Sequence, residues 1–244
     1  MKMLTEKIIL IAGATGAIGE AIARQCVLQG AQVILGYHTA REKALALQGE
    51  LNCQSLKLDL TNNQELEQTF NEYKPLLDNV TGLVNASGIN VPGPLMSLDG
   101  TAVEKQINAN LTGAIQLTRL VSRSMIRKRQ GSIIHMGSVS AHRMVRGHSV
   151  YSATKAGLEG FTKALAAELA KRGIRVNTIL PGPVMSEMLK NSMETTGDNP
   201  AERVPMQRLI TADEVAQATV FLLSDNSSAI TGVCLPVDGG YLLW

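Results

Sequence analysis

Along the chain, short runs of apolar residues alternate with longer stretches in which apolar positions recur every three or four residues. The first run, Ile8–Ala12, is apolar throughout, as expected of a strand covered on both faces. After it, Ile18, Ile22 and Cys26 are spaced by four, which predicts a helix closed by Gly30 as C-cap. The same alternation predicts strands at 33–35, 56–58, 80–85, 132–136, 175–180 and 233–237. Helical patterns fill 40–50, 62–74, 101–129, 150–171 and 211–223. Strands joined by helical crossovers predict an α/β fold: a doubly wound, parallel, seven-stranded sheet with helices on both faces. No linker or repeat divides the chain, so residues 1–244 read as one domain. One segment, 185–204, breaks the rhythm. It is polar and methionine-rich, carries Gly197 and Pro200, and is expected to form a mobile substrate lid.

Composition narrows the picture. Apolar residues make up 45% of the chain and aromatic residues only 3%, so the core must be aliphatic. The net charge is +2, and the only basic run is Ile126-Arg127-Lys128-Arg129, which argues against nucleic-acid binding. Cys26, Cys53 and Cys234 are scattered and odd in number, which predicts reduced thiols in a cytoplasmic protein. The four histidines are dispersed, and no Cys/His cluster has metal-ligand spacing. The apolar run after Lys7 is too short for a signal-peptide core, and glycines follow where a cleavage site would be expected. No run is long enough to span a membrane.

The stretch GATGAIG, residues 13–19, follows the first strand and opens the first helix. In that context Gly13 permits the tight turn, Gly16 lets the backbone approach a pyrophosphate, and Gly19 allows close helix–strand packing. The helix N-terminus then offers free N–H groups and a positive dipole end to the phosphates. This is a dinucleotide-binding turn of the Rossmann type. Cofactor choice depends on the end of the second strand, where an acidic residue favours NAD. Here Gly36-Tyr37-His38-Thr39 holds no carboxylate, and Arg41 and Lys43 follow. The pattern favours NADP over NAD, although both cations also read as solvated helix charges.

Further along stand Asp59, Asn85-Ala86-Ser87-Gly88, Asn110, Ser138, Tyr151-Ser-Ala-Thr-Lys155 and Pro181-Gly182. In order and spacing these motifs resemble the short-chain dehydrogenase/reductase family over nearly the whole chain. Within it, the stretches NLTGA (110–114), GSVSA (137–141) and KRGIRVNTILPGPV (171–184) are most like those of the 3-oxoacyl-[acyl-carrier-protein] reductases. Two departures stand out. Gly16 comes one place early in the turn and Ala17 takes the usual glycine position. The second asparagine of the family's Asn-Asn-Ala-Gly is Ala86 here.

The resemblance implies roles. Tyr151 is the acid that protonates a substrate carbonyl, and Lys155 tunes it and holds the nicotinamide ribose. Ser138 polarises the carbonyl, and Asn110 distorts its helix and extends a proton relay through water. The cofactor site is expected to draw on Gly13, Thr15, Gly16, Ile18 and Gly19 in the turn. Tyr37, His38, Arg41, Asp59 and Leu60 are expected at the adenosine end, with Asp59 accepting from the adenine amino group. Asn85, Ala86, Gly88, Tyr151, Lys155, Pro181, Val184 and Ser186 are expected along the rest of the cleft. Physically, Tyr151 and Lys155 lie one helical turn apart. An ammonium about 4 Å from the phenol, at an effective dielectric near 20, favours phenolate by roughly 4 kcal/mol and would bring its pKa from about 10 toward 7.

Acyl carrier proteins are acidic, and the resemblance places Arg129 and Arg172 at a docking patch beside the active-site mouth, although cations at helix C-termini are common anyway. Arg143 and Arg146, on the loop before Tyr151, are candidates for a phosphopantetheine phosphate. His142 and His148 on that loop read as solvated. Homotetrameric assembly follows from resemblance alone, and the apolar end at 241–244 is expected at a subunit interface. The expected activity is NADPH-dependent reduction of a 3-oxoacyl thioester. The alternatives are reduction of another ketone or a coenzyme A thioester, and a non-catalytic dinucleotide sensor. The sensor is disfavoured because all four catalytic positions are filled.

Overall fold

The computed structural model describes residues 2–186, 189, 190, 193 and 199–243. Seven strands form one sheet: β1 (Ile8–Ala12), β2 (Gln32–Tyr37), β3 (Gln54–Lys57), β4 (Gly82–Asn85), β5 (Gly131–Met136), β6 (Ile174–Pro181) and β7 (Cys234–Val237). All pairs are parallel, in the order β3-β2-β1-β4-β5-β6-β7. The order reverses beside β1, whose neighbours are β2 and β4, and that reversal opens a crevice at the carboxyl ends of the strands.

The helices include α1 (Ala17–Leu28), α2 (Arg41–Leu51), α3 (Asn63–Glu72), α4 (Lys74–Leu77), α5 (Gly100–Ile107), α6 (Gly113–Lys128), α7 (Ser149–Leu169) and α8 (Ala212–Leu223). Local chemistry sets their ends. Gly30, just beyond α1, has φ +90°, the conformation a glycine stop supplies. Thr211 and Glu214 form a reciprocal capping box at the start of α8. The single helix expected over 62–74 divides at Tyr73, where Pro75 opens α4.

Side-chain alternation along each strand divides the core in two. Ile9, Ile11, Val33, Leu35 and Ile134 pack with α1, α2 and α8. Leu10, Ile34, Leu83, Ile133 and Val176 pack with α3, α4, α6 and α7. The fold is the doubly wound, parallel, seven-stranded α/β sheet read from the sequence, with small shifts at element ends.

The expected lid over 185–204 falls partly on 187, 188, 191, 192 and 194–198, which lie outside the described residues. The last residue of that span, Val204, is fully buried beside Gly239. The expected interface role of 241–244 is corrected in part. Tyr241 is buried within its own chain, where the Arg143 guanidinium stacks 4.4 Å from its ring centroid and donates to its carbonyl at 2.8 Å. Trp244 lies outside the described residues. Arg143 thereby spends one guanidinium nitrogen and its flat face on the C-terminal turn.

Candidate active site

Two glycines of the 13–19 turn are required by the fold itself. Gly13 has φ +76°, and a Cβ there would lie 2.8 Å from Ser87 N; at Gly19 a Cβ would lie 2.2 Å from Gly13 O. Gly16 differs. It is the N-cap of α1, and its added Cβ would meet nothing of the chain closer than 3.4 Å. The backbone there is open, as a surface approached by phosphate requires. The turn borders a cavity of about 570 Å³ whose lining includes Thr15, Gly16, Ile18 and Gly19 at one end and Ser138, Tyr151 and Lys155 at the other. Ala86, Gly88, Pro181, Val184 and Ser186 line it as well.

The chemistry gathers at the carboxyl end of β5 and the first turns of α7. Ser138 follows the strand, and its Oγ accepts from the Ser140 N–H at 3.1 Å, which leaves its own proton free to donate. Burial pushes the Tyr151 phenol above its ordinary value, and a hydrogen bond from Ser138 pulls it partway back. The phenol is therefore raised, the reverse of the lowered value expected from the Lys155 charge. Lys155 is engaged elsewhere. Its Nζ donates to the Met136 carbonyl at 2.7 Å and lies 5.7 Å from the Tyr151 ring centroid. Burial depresses the ammonium to about 8, a value at which it still holds its proton at neutral pH.

Asn110 lies in a single π-helical turn, Asn108–Thr112, between α5 and α6. The helix is distorted where expected. Its side-chain amide, however, is engaged with protein. Oδ1 accepts from the Ile89 N–H at 2.8 Å, and Nδ2 donates to Ile89 O at 2.8 Å and to Thr154 Oγ1 at 3.2 Å. Its direct work is to hold the loop after β4.

Just beyond β3, Asp59 accepts from the Thr61 N–H at 2.8 Å and from its hydroxyl at 2.7 Å, and faces His38 Nε2 at 3.3 Å. Burial pushes this carboxyl up, but the Thr61 donors and His38 outweigh it and the net value is lowered. Tyr37, His38, Arg41, Asp59, Leu60 and Asn85 are not among the residues that line the cavity. Tyr37 ends β2 and Asn85 ends β4, the strands on either side of β1. Arg41 opens α2, exposed and without an ion pair among the described residues. Lys43 does reach the cavity, but it is paired with Glu20 at 2.8 Å. A nicotinamide dinucleotide fits this set of residues: an open glycine turn on a helix N-terminus at one end, a buried lysine and a tyrosine at the other.

The docking pair is displaced. Arg129 caps α6 just before β5, and Arg172 lies just before β6, so both sit at the amino ends of strands. Tyr151 lies at the carboxyl ends, roughly 20 Å away at 3.3 Å per strand residue. Arg129 also donates to the Lys171 carbonyl at 2.8 Å. Within one chain these arginines do not flank the mouth, because residues that precede a parallel strand emerge at the opposite edge. Arg146 is exposed on the loop before α7.

Neither loop histidine is simply solvated. His142 pairs with the buried Glu159 at 2.9 Å. His148 lines the cavity and meets Asn90 Nδ2 through its Nε2 at 3.3 Å. Asn90, Ser140 and Glu20 also line the cavity, and none was read from the sequence. Asn90 carried one available signal: it is polar and follows a strand at its carboxyl end.

Among the described residues no group of three or more His, Cys, Asp or Glu side chains could hold a metal ion, and no helix is long and apolar enough to cross a membrane.

Comparison with known proteins agrees with this geometry. A family model described as enoyl-(acyl carrier protein) reductase matches residues 13–242. The chain is 37% identical over 240 residues to a 3-oxoacyl-[acyl-carrier-protein] reductase of Bos taurus, covering 98% of this chain and 99% of that one. It is also 37% identical over 236 residues to 3-oxoacyl-[acyl-carrier-protein] reductase FabG of Escherichia coli (strain K12), covering 96% of each. Among solved structures, a 3-oxoacyl-[acyl-carrier protein] reductase from Brucella melitensis superimposes with a TM-score of 0.90 at 28% identity, over 99% of this chain and 93% of that one. In motif order, sheet topology and relatives, the chain belongs to the short-chain dehydrogenase/reductase family of oxidoreductases and resembles, within it, the 3-oxoacyl-[acyl-carrier-protein] reductases.

Proposed function

We propose that this chain uses NADPH to reduce the ketone of a 3-oxoacyl thioester, carried on acyl carrier protein, to the 3-hydroxyacyl thioester. The observation that carries this reading is the convergence of Ser138, Tyr151 and Lys155 on the cavity that also contains the open turn at Gly16. The bound dinucleotide would supply a hydride to the ketone carbon and leave a cationic ring beside Tyr151. Ser138 donates its hydroxyl proton toward the ketone oxygen and polarises it. Tyr151, held protonated by burial, delivers its proton to that oxygen as negative charge develops there. Lys155 stabilises the phenolate that remains. Asn110 keeps the loop after β4 in register through Ile89.

NADPH is favoured over NADH by the absence of a carboxylate over residues 37–39 and by Arg41 at the start of α2, which has no ion pair among the described residues. The working assembly proposed is a homotetramer, which light scattering tests. A second reading, a coenzyme A thioester or free ketone as substrate, is favoured by one observation: Arg129 and Arg172 lie at the far edge of the sheet.

The test follows the fall in NADPH absorbance with acetoacetyl thioesters of acyl carrier protein and coenzyme A side by side, with NADH in parallel. Tyr151→Phe is expected to lose about 10²–10⁴-fold in kcat. Parent activity in that variant, or no turnover of either thioester, sinks the proposal.

A further inference from the structure

We infer that Asn90 and His148 form a recognition pair for a second carbonyl of the substrate, beyond the ketone that Tyr151 protonates. The inference rests on the 3-oxoacyl reading above, and it names the feature of that substrate class the pocket reads.

Asn90 is held with unusual care for a loop residue. On one side of it, Ile89 exchanges two hydrogen bonds with the Asn110 amide, both at 2.8 Å. On the other, the Val91 N–H donates to Gln106 Oε1 at 3.2 Å and Gln106 Nε2 donates back to Val91 O at 3.4 Å. Asn110 and Gln106 are both buried. Two buried side-chain amides therefore grip the main chain on either side of residue 90, much as a neighbouring strand would.

The loop before α7 lies against this one. The Gly93 N–H donates to Gly147 O at 2.9 Å. Gly147 has φ +84°, and a Cβ there would lie 3.3 Å from Gly93 N. The next residue, His148, brings its Nε2 to 3.3 Å from Asn90 Nδ2. Its ring stands edge-on to the Tyr151 ring, with centroids 5.9 Å apart at 69°. Asn90, His148, Tyr151 and Ser138 line one cavity.

The pair has hydrogen-bonding capacity that the chain does not use. Burial lowers the His148 pKa and favours the neutral ring. An amide N–H facing Nε2 makes that nitrogen the acceptor and puts the ring proton on Nδ1. His148 Nδ1 and Asn90 Oδ1 are both buried without a partner among the described residues. Turning the Asn90 amide over exchanges the two roles, and the pair still offers one donor and one acceptor. Buried polar groups are costly to leave unmet. Brought to the cavity by rotation of the His148 side chain, a donor one ring away from the catalytic phenol suits a carbonyl oxygen near the reacting ketone. A 3-oxoacyl thioester has one, on carbon 1. A simple ketone has none.

The experiment uses acetoacetyl-coenzyme A and cyclohexanone as substrates and measures NADPH binding separately by fluorescence. His148→Phe keeps a flat ring and removes both nitrogens. It is expected to raise KM for acetoacetyl-coenzyme A about tenfold or more, with kcat held within about threefold, and to affect cyclohexanone at least fivefold less. His148→Gln restores an N–H and is expected to recover most of the loss. Asn90→Ala repeats the pattern, and decides the matter if His148→Phe does not fold. NADPH binding is expected to stay within about twofold throughout. Equal losses on both substrates, no loss on either, or failure of glutamine to rescue overturns the pair's role. If the parent reduces acetoacetyl-coenzyme A and the variants fail to discriminate, only this inference falls. If the parent reduces cyclohexanone but no 3-oxoacyl thioester, the functional reading falls and takes the inference with it.

Discussion

The Lys155 ammonium donates to the main-chain carbonyl of Met136 at 2.7 Å, which ties the second turn of α7 to the last residue of β5. The lysine is buried, and its pKa falls to about 8 from the ordinary 10.5. At neutral pH both folded and unfolded chains hold the proton, but the folded chain holds it at a cost, which disappears only as pH rises from about 8 through 10.5. That gap corresponds to up to about 3 kcal/mol at pH 7. Replacing the lysine leaves the Met136 carbonyl unmet, which takes back about 1 kcal/mol or more. Lys155→Met is therefore expected to abolish activity while stabilising the chain by about 1–2 kcal/mol at pH 7, with the gain fading above pH 8. Thermal melts without nucleotide at pH 7 and pH 10 check this. A lower melting temperature at pH 7 contradicts it.

His135 offers a test on the acid side. It is fully buried in β5, both ring nitrogens lack a partner among the described residues, and burial pushes its pKa down to about 3. The unfolded chain takes up a proton near pH 6.5 and the folded chain does not. Its contribution to stability is present above pH 6.5 and is lost as pH falls toward 3, by about 1.4 kcal/mol per pH unit. Between pH 7 and pH 5 the loss is about 2 kcal/mol. His135→Leu is expected to flatten this part of the profile in urea titrations. An unchanged slope contradicts the assignment.

The two ends of the glycine turn should separate folding from binding. Gly16→Ala places its Cβ where the chain has nothing closer than 3.4 Å, so it is expected to melt within a few degrees of the parent. Its affinity for NADPH is expected to fall about tenfold, because the added methyl stands where phosphate approaches. Gly19→Ala, whose Cβ would lie 2.2 Å from Gly13 O, is expected to destabilise the fold. Unchanged NADPH affinity in Gly16→Ala counts against a phosphate site there.

Arg41 tests the cofactor preference. It is exposed and has no ion pair among the described residues, whereas Lys43 is held by Glu20 at 2.8 Å. Arg41→Ala is expected to raise KM for NADPH about tenfold and leave KM for NADH within about twofold, since only NADPH carries the 2′-phosphate. Equal effects on both cofactors assign the recognition elsewhere.

Much of this protein is local in origin. Apolar runs such as Ile8–Ala12 and the four-residue spacing of Ile18, Ile22 and Cys26 set strands and helices within about ten residues, and alternation of the two implies the parallel sheet. The glycine turn, Ser138 and the Tyr151/Lys155 pair were legible for the same reason: each is a short motif attached to a strand or helix end. What escaped depends on contacts between distant segments. The sign of the Tyr151 shift is decided by burial, which no helical spacing reveals. Arg129 and Arg172 fit the motif but emerge at the amino ends of their strands, at the wrong edge within one chain. Asn90 and His148 lie 58 residues apart and meet only because Gln106, Asn110 and Gly147 bring two loops together. Backbone propensity and periodicity act over one or two turns, so the sequence determined the elements and the motifs on them. Burial and hydrogen bonding act across the folded chain, so only the tertiary structure decided how those groups are charged and what they face.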